Sequence, residues 1–209
     1  MSEMGIIEES ARRLDIHERF ELLRLAREAM ESSVKGYRIL GLDLGIVPLR
    51  LRQPGASFVT LTLGGELRGC IGALEATQPL AEDVRLHAVA AALEDFRFTP
   101  VSPEELPRLS IEISRLTPLQ MVDYADAGEL LMKLRPGIDG VVLKDGTRRG
   151  TFLPQVWKKV PEANIFLTLL CQKMGLPGDT WKAKKLSVYV YEVEEIHEEI
   201  NAMDTAQLV

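Results

Sequence analysis

Two β-rich runs separated only by Gly64-Gly65 constrain this chain more than any other stretch. Residues 58–63 read Phe-Val-Thr-Leu-Thr-Leu and residues 66–71 read Glu-Leu-Arg-Gly-Cys-Ile. Two glycines tolerate the positive φ that a two-residue hairpin turn needs, so this segment is expected to be a β-hairpin. Strand residues alternate between faces. That alternation is expected to put Arg68 and Cys70 on one face, and Leu67, Gly69 and Ile71 on the other.

The rest of the chain mixes helices with strands. Residues 15–34 predict an amphipathic helix, with Asp15 and Glu18 as a capping box and Ile16, Phe20, Leu23 and Met30 at helical spacing. Residues 36–55, rich in glycine and proline, predict an irregular connection. A second helix is expected from about Pro79 to Asp95, with Glu82 and Asp83 at its positive end and Leu80, Val84, Ala88 and Ala91 as its apolar stripe. Residues 102–105 suggest a capped turn, and alternating Leu109, Ile111 and Ile113 a half-buried strand. A short helix is expected to start at Asp126. Asp145-Gly146 is expected to turn a second hairpin between residues 141–144 and 147–153. A helix over residues 161–174 should stop at Gly175, and residues 186–193 predict a last strand before a polar tail. No internal repeat or linker divides the chain. The expectation is an α/β fold of the α+β type, with a mixed or mostly antiparallel sheet packed with helices.

Composition narrows the function classes. The net charge of −6 argues against a polyanion as the main partner, and the short basic run Lys182, Lys184 and Lys185 beside Trp181 reads as a solvated segment. Two cysteines cannot make a disulfide framework. The first residues lack the basic-then-apolar order of a signal peptide, and no apolar run approaches the roughly 18 residues of a membrane span. A cytoplasmic protein is expected.

Cys70 is the leading chemical candidate. A guanidinium from Arg68 on the same face would favour the thiolate, the reactive form. The competing reading is a small buried hydrophobe, which free cysteine often is. Gly69 and Gly72 beside it fit either room for a ligand or close strand packing. Cys171 shares a helical face with Leu167, Leu170 and Met174 and reads as core. The three histidines are scattered and show no zinc-ligand spacing; a Cys-His pair would require His87 to fold near Cys70. Asp95-Phe96-Arg97-Phe98 joins an acid, a base and two aromatics at a helix end, which a terminating ion pair also explains. Gln155 follows a strand, and Glu112 lies on a half-buried one. No phosphate-binding glycine loop or nucleophile elbow is present, and no cofactor is expected.

Phe58-Val59-Thr60-Leu61, Leu67-Arg68-Gly69-Cys70-Ile71-Gly72, Asp95-Phe96-Arg97-Phe98-Thr99-Pro100 and Ile111-Glu112-Ile113-Ser114 occur in that order. Leu153-Pro154-Gln155-Val156, Phe166-Leu167, Lys173, Gly175-Leu176 and Trp181 continue the series. Together they resemble the AMME-syndrome chromosomal-region protein family, in its prokaryotic form the AmmeMemoRadiSam system protein A. The resemblance spans roughly residues 15–199, with an extension before it (1–14) and a tail after it (200–209). Thr151-Phe152 and the Lys182–Lys185 run depart from the pattern.

The resemblance implies two lobes with the motif residues gathered at a cleft. It also implies a Memo-like protein and a radical S-adenosylmethionine enzyme as company, and no particular reaction. Residue by residue it points to Arg68, Gly69, Cys70, Gly72, Asp95, Arg97, Glu112 and Gln155. Two functions follow as expectations. One is an enzyme or covalent carrier with Cys70 as nucleophile, Arg68 on an anionic group of a small-molecule ligand, and Asp95, Arg97 or Gln155 orienting it. The other is a non-catalytic binding subunit for those partners. A third, RNA binding, has only the short basic run behind it.

Overall fold

The computed structural model describes residues 13–198. The expected extension, beyond residues 13 and 14, and the expected tail lie outside them. Chain contacts divide the molecule into two compact units: one runs to Arg115 and resumes at Glu194, and the other spans Leu116–Val193. The chain has an α+β fold, with antiparallel pairing in both sheets and helices packed on them.

The first unit begins with α1 (Ile16–Val34). Its Asp15 side chain accepts the Glu18 N–H while Glu18 reaches back to the Asp15 N–H, closing the expected capping box. The buried face of α1 is Leu22, Leu25, Ala26, Ala29 and Met30, whereas Ile16 and Phe20 are 83% and 64% exposed. Of the expected stripe, Met30 is buried and Leu23 packs half-buried against the core, while Ile16 and Phe20 fall outside it, so the buried face is rotated at the start of the helix. The small side chains of the real face let α1 approach α2 (Leu80–Leu93), whose Ala88 and Ala91 are equally buried. Leu14, expected to precede the domain, is buried in the same core.

The hairpin forms as expected from β1 (Pro54–Leu63) and β2 (Glu66–Gly72), with Gly64 at φ +60° and Gly65 at φ +88° in the turn. Short β3 (Gln78–Pro79) pairs with the start of β1. Then come β4 (Leu109–Leu116) and, after the second unit, β9 (Val193–His197), giving the order β2-β1-β4-β9. Strand β9 corrects the expectation of one last strand ending near residue 193. Its run of charged residues hides a buried Ile196, and Glu194 is held by Arg19 and Arg115.

The second unit runs β5 (Gln120–Val122), α3 (Ala127–Lys133), β6 (Gly140–Asp145), β7 (Arg148–Phe152), α4 (Ala163–Lys173), α5 (Thr180–Ala183) and β8 (Ser187–Tyr191). Its sheet order is β5-β8-β6-β7. Asp145 pairs with Arg148, so the second hairpin turns on Gly146-Thr147, one residue later than expected, with Gly146 at φ +59°. Trp157 stacks on Phe166 with ring centroids 3.7 Å apart, and the indole N–H donates to the Asp139 carbonyl. Cys171 is fully buried among them, as its helical face predicts. Burial pushes its thiol pKa up.

A side chain on Gly69 has nowhere to go, because a Cβ there would lie 2.1 Å from the Ala91 carbonyl oxygen of α2. Gly69→Ala should therefore destabilise the first unit by about 3 kcal/mol. Urea unfolding followed by circular dichroism would check this; a loss below about 1 kcal/mol would show that the helix yields at no cost.

Candidate functional site

Strand β2 lies at the end of its sheet order, so the backbone groups it turns away from β1 need other partners. At Cys70 they find them on the segment after α2. The Cys70 N–H donates to Asp95 Oδ2 at 2.8 Å, and Arg97 Nη2 donates to the Cys70 carbonyl at 3.2 Å. Arg97 also grips Asp95 with Nε at 2.9 Å from Oδ1 and Nη2 at 2.6 Å from Oδ2, and its own N–H donates to Oδ1. The Asp95 side chain is 2% exposed and that of Arg97 44%.

The Arg97 hydrogen bond, helped by the two backbone N–H donors, holds the Asp95 carboxyl well below the usual carboxylate range. Arg97 is raised in turn, chiefly by Asp95, with the Cys70 thiol contributing less. Thus the cation beside Cys70 is Arg97. Thr60, directly across in β1, donates its hydroxyl to Cys70 Sγ at 3.3 Å, and the thiol is half-buried. Phe96, between the two charged residues, is 94% exposed.

Arg68 does not serve the role expected of it. The β1–β2 register slips between Leu61 and Thr62, leaving Arg68 as the extra residue and breaking the alternation that would align it with Cys70. Its guanidinium bonds Glu105 through Nε at 2.7 Å and Nη2 at 3.0 Å, and the Thr99 carbonyl through Nη1. Glu105 also accepts the Ser102 N–H, and Arg68 is the main cause of its lowered pKa. Arg68 thus clamps the loop that carries Arg97 through a bidentate pair whose side chains are 13% and 19% exposed. Of the two readings of the glycines, packing holds: Gly69 meets α2, and a Cβ on Gly72 would lie 2.4 Å from the Phe58 ring.

His87 does not approach Cys70. Its Nδ1 lies 3.1 Å from Asp83 Oδ2 and 3.5 Å from Ser57 Oγ, and Ser57 donates to Asp83 at 2.7 Å. Ser57, Val59 and Leu61 are the buried face of β1, whereas Thr60 opposite Cys70 points the other way, so the sheet separates the two. Ser57 and His87 also meet through one imidazole nitrogen, the one facing Asp83, which is not the relay of a nucleophilic triad.

Glu112 is not simply solvated: His197 Nδ1 lies 3.5 Å from its Oε2, with Glu195 at 3.6 Å from the other nitrogen. Gln155 belongs to the second unit, in the turn Pro154–Lys158. The structure therefore gathers Arg68, Gly69, Cys70, Gly72, Asp95 and Arg97 on one edge of the first unit. Thr60 and Glu105 were missed, and only the strand register and loop packing reveal them. Among the described residues no group of three or more His, Cys, Asp or Glu is placed to hold a metal ion. None of the described helices is long and apolar enough to cross a membrane.

Because the folded-state pKa of Asp95 is depressed, its stabilising effect is full above the unfolded value of about 3.9 and is lost as pH falls below it. Asp95→Asn should cost about 2–3 kcal/mol at pH 7 by breaking charge-assisted bonds to a buried acceptor. Between pH 5 and about pH 2 the gap between variant and parent should close in thermal melts; a constant gap would rule out the linkage.

A model of the AMMECR1 family matches residues 23–196 of this chain. A protein of Methanothermobacter thermautotrophicus is 37% identical over 183 residues, covering 85% of this chain and 93% of its own length. A protein of Thermofilum pendens is 38% identical over 197 residues, covering 87% and 90%. The crystal structure of an uncharacterized protein from Pyrococcus horikoshii superposes with a TM-score of 0.77 at 35% identity, over 85% of this chain and 90% of that one. The chain belongs to the AMMECR1 family.

Proposed function

We propose that the Cys70–Arg97 edge binds a small anionic ligand and that Cys70 acts on it as a nucleophile or covalent carrier. The observation that supports this reading is one arrangement. A buried Asp95 holds the Arg97 guanidinium beside a half-buried thiol, with 44% of the Arg97 side chain still open to solvent. A fixed cation there would seat a carboxylate or phosphate next to the sulfur. In the simplest step, Cys70 Sγ attacks an electrophilic carbon of that ligand. The S–C bond forms as the bond to the leaving group breaks, and the thiol proton leaves with that group.

The test compares alkylation of Cys70 by iodoacetate and by neutral iodoacetamide, with Cys171 as the buried control. A unit charge about 4 Å away is worth about 1 kcal/mol in water, or roughly fivefold. Arg97→Gln should therefore lower the iodoacetate-to-iodoacetamide rate ratio about fivefold. An unchanged ratio would remove Arg97 as the anion-binding group.

A second reading draws on Phe96. An aromatic side chain 94% exposed at the rim of the site is the kind of residue that anchors protein interfaces. Here the chain is a non-catalytic subunit docking on a Memo-like protein or a radical S-adenosylmethionine enzyme. Co-purification should recover a complex that Phe96→Ala weakens at least tenfold; no complex at micromolar concentration would sink this reading.

A further inference from the structure

The backbone of Cys70 decides how its side chain meets β1. Its N–H and carbonyl both point off the free edge of β2, to Asp95 and Arg97. In an antiparallel ladder a residue turns both groups the same way, so neither is spent on β1. The Ala73 N–H, donating to the Ser57 carbonyl, sets the same phase from further along the pair. Thr60 and Cys70 therefore face each other with no backbone hydrogen bond between them, and such pairs hold their side chains closest.

The contact that results is a directed one. Thr60 Oγ1 donates to Cys70 Sγ at 3.3 Å, and both side chains are half-buried. They share the sheet face opposite Val59 and Leu61, which pack in the core with α1 and α2. Along that face the Phe58 ring fills the space over Gly72, and Arg68 has turned away to Glu105. Threonine is β-branched and stiff about χ1, so the strand itself sets where the hydroxyl lies. A cysteine side chain is freer, with three staggered positions to choose from. The hydroxyl selects one of them, and in that one the thiol also acts on Arg97, helping to raise the guanidinium pKa.

We propose that Thr60 is a positioning residue for Cys70, its hydroxyl holding Sγ in the rotamer that keeps the sulfur beside Arg97. The role rests on the reading of Cys70 as a nucleophile next to that cation, and Thr60 acts through the sulfur without touching the ligand. Valine keeps the β-branched shape and strand preference of threonine but cannot donate, whereas serine donates without the methyl group.

Two readouts on the full chain test this. The Hα–Hβ scalar couplings of Cys70, measured by NMR, report its rotamer whatever its chemistry. The iodoacetate-to-iodoacetamide rate ratio reports how close the sulfur stays to the cation. Thr60→Val should bring the couplings to rotamer-averaged values, and Thr60→Ser should keep those of the parent. A jump between staggered positions moves the sulfur by about 3 Å. Stretching a charge separation of about 4 Å by that much in water lowers a rate by about twofold, so Thr60→Val should halve the ratio and Thr60→Ser should restore it. With Arg97→Gln already in place, Thr60→Val should change the ratio no further. Single-rotamer couplings in Thr60→Val, or a ratio that falls equally in the Arg97→Gln background, overturns the assignment. A ratio insensitive to Arg97→Gln instead removes Arg97 as the anion-binding group, and averaged couplings in Thr60→Val then still mark Thr60 as the group that holds the sulfur.

Discussion

The carboxylate of Asp95 is the point on which the Cys70 site depends. It sits out of solvent at the end of α2, where an isolated charge would be costly, and is stable there because Arg97 and two backbone N–H groups surround it. One of those N–H groups belongs to Cys70. The same ion pair therefore finishes the open edge of β2, fixes the backbone of the thiol residue and aims a cation at its side. Arg68 and Glu105 do for the surrounding loop what Asp95 and Arg97 do for the strand.

Two sheets solve the problem of a free face differently. In the first unit the helices cover one face and the family's motif residues finish an edge, so the glycines there are spaces for neighbouring atoms, not openings for a ligand. In the second unit, helices cover one face and the other carries Lys144 against the Tyr189 ring. Charged residues pair with one another in both units, as Arg68 does with Glu105 in the first and Arg135 with Asp139 in the second.

Much of the architecture was legible before any coordinates. The Gly64-Gly65 and Asp145-Gly146 signals marked both hairpins because so few residues accept the backbone angles of a tight turn. The capping box of α1 and the glycine stop of α4 were read correctly because they satisfy local backbone groups. The rotated face of α1 was not, since its apolar residues support two stripes and only the position of α2 selects one. Strand β9 was missed because Glu194 and Glu195 flank a single buried Ile196, and the charges of Glu194 and of Glu198 just beyond the strand are met by arginines far away in sequence.

By itself the sequence determined what depends on neighbours along the chain: turns, caps, the alternation of strands, the burial of Cys171 and the family pattern around Cys70. Only the tertiary structure decided which cation stands beside that thiol. Arg68 is two residues away but lies at a bulge and is bound by Glu105, whereas Arg97 is reached through space from the end of a helix. The reason is physical. A charged side chain goes to the carboxylate that is both accessible and desolvated, and that choice rests on contacts between segments that sequence spacing does not encode.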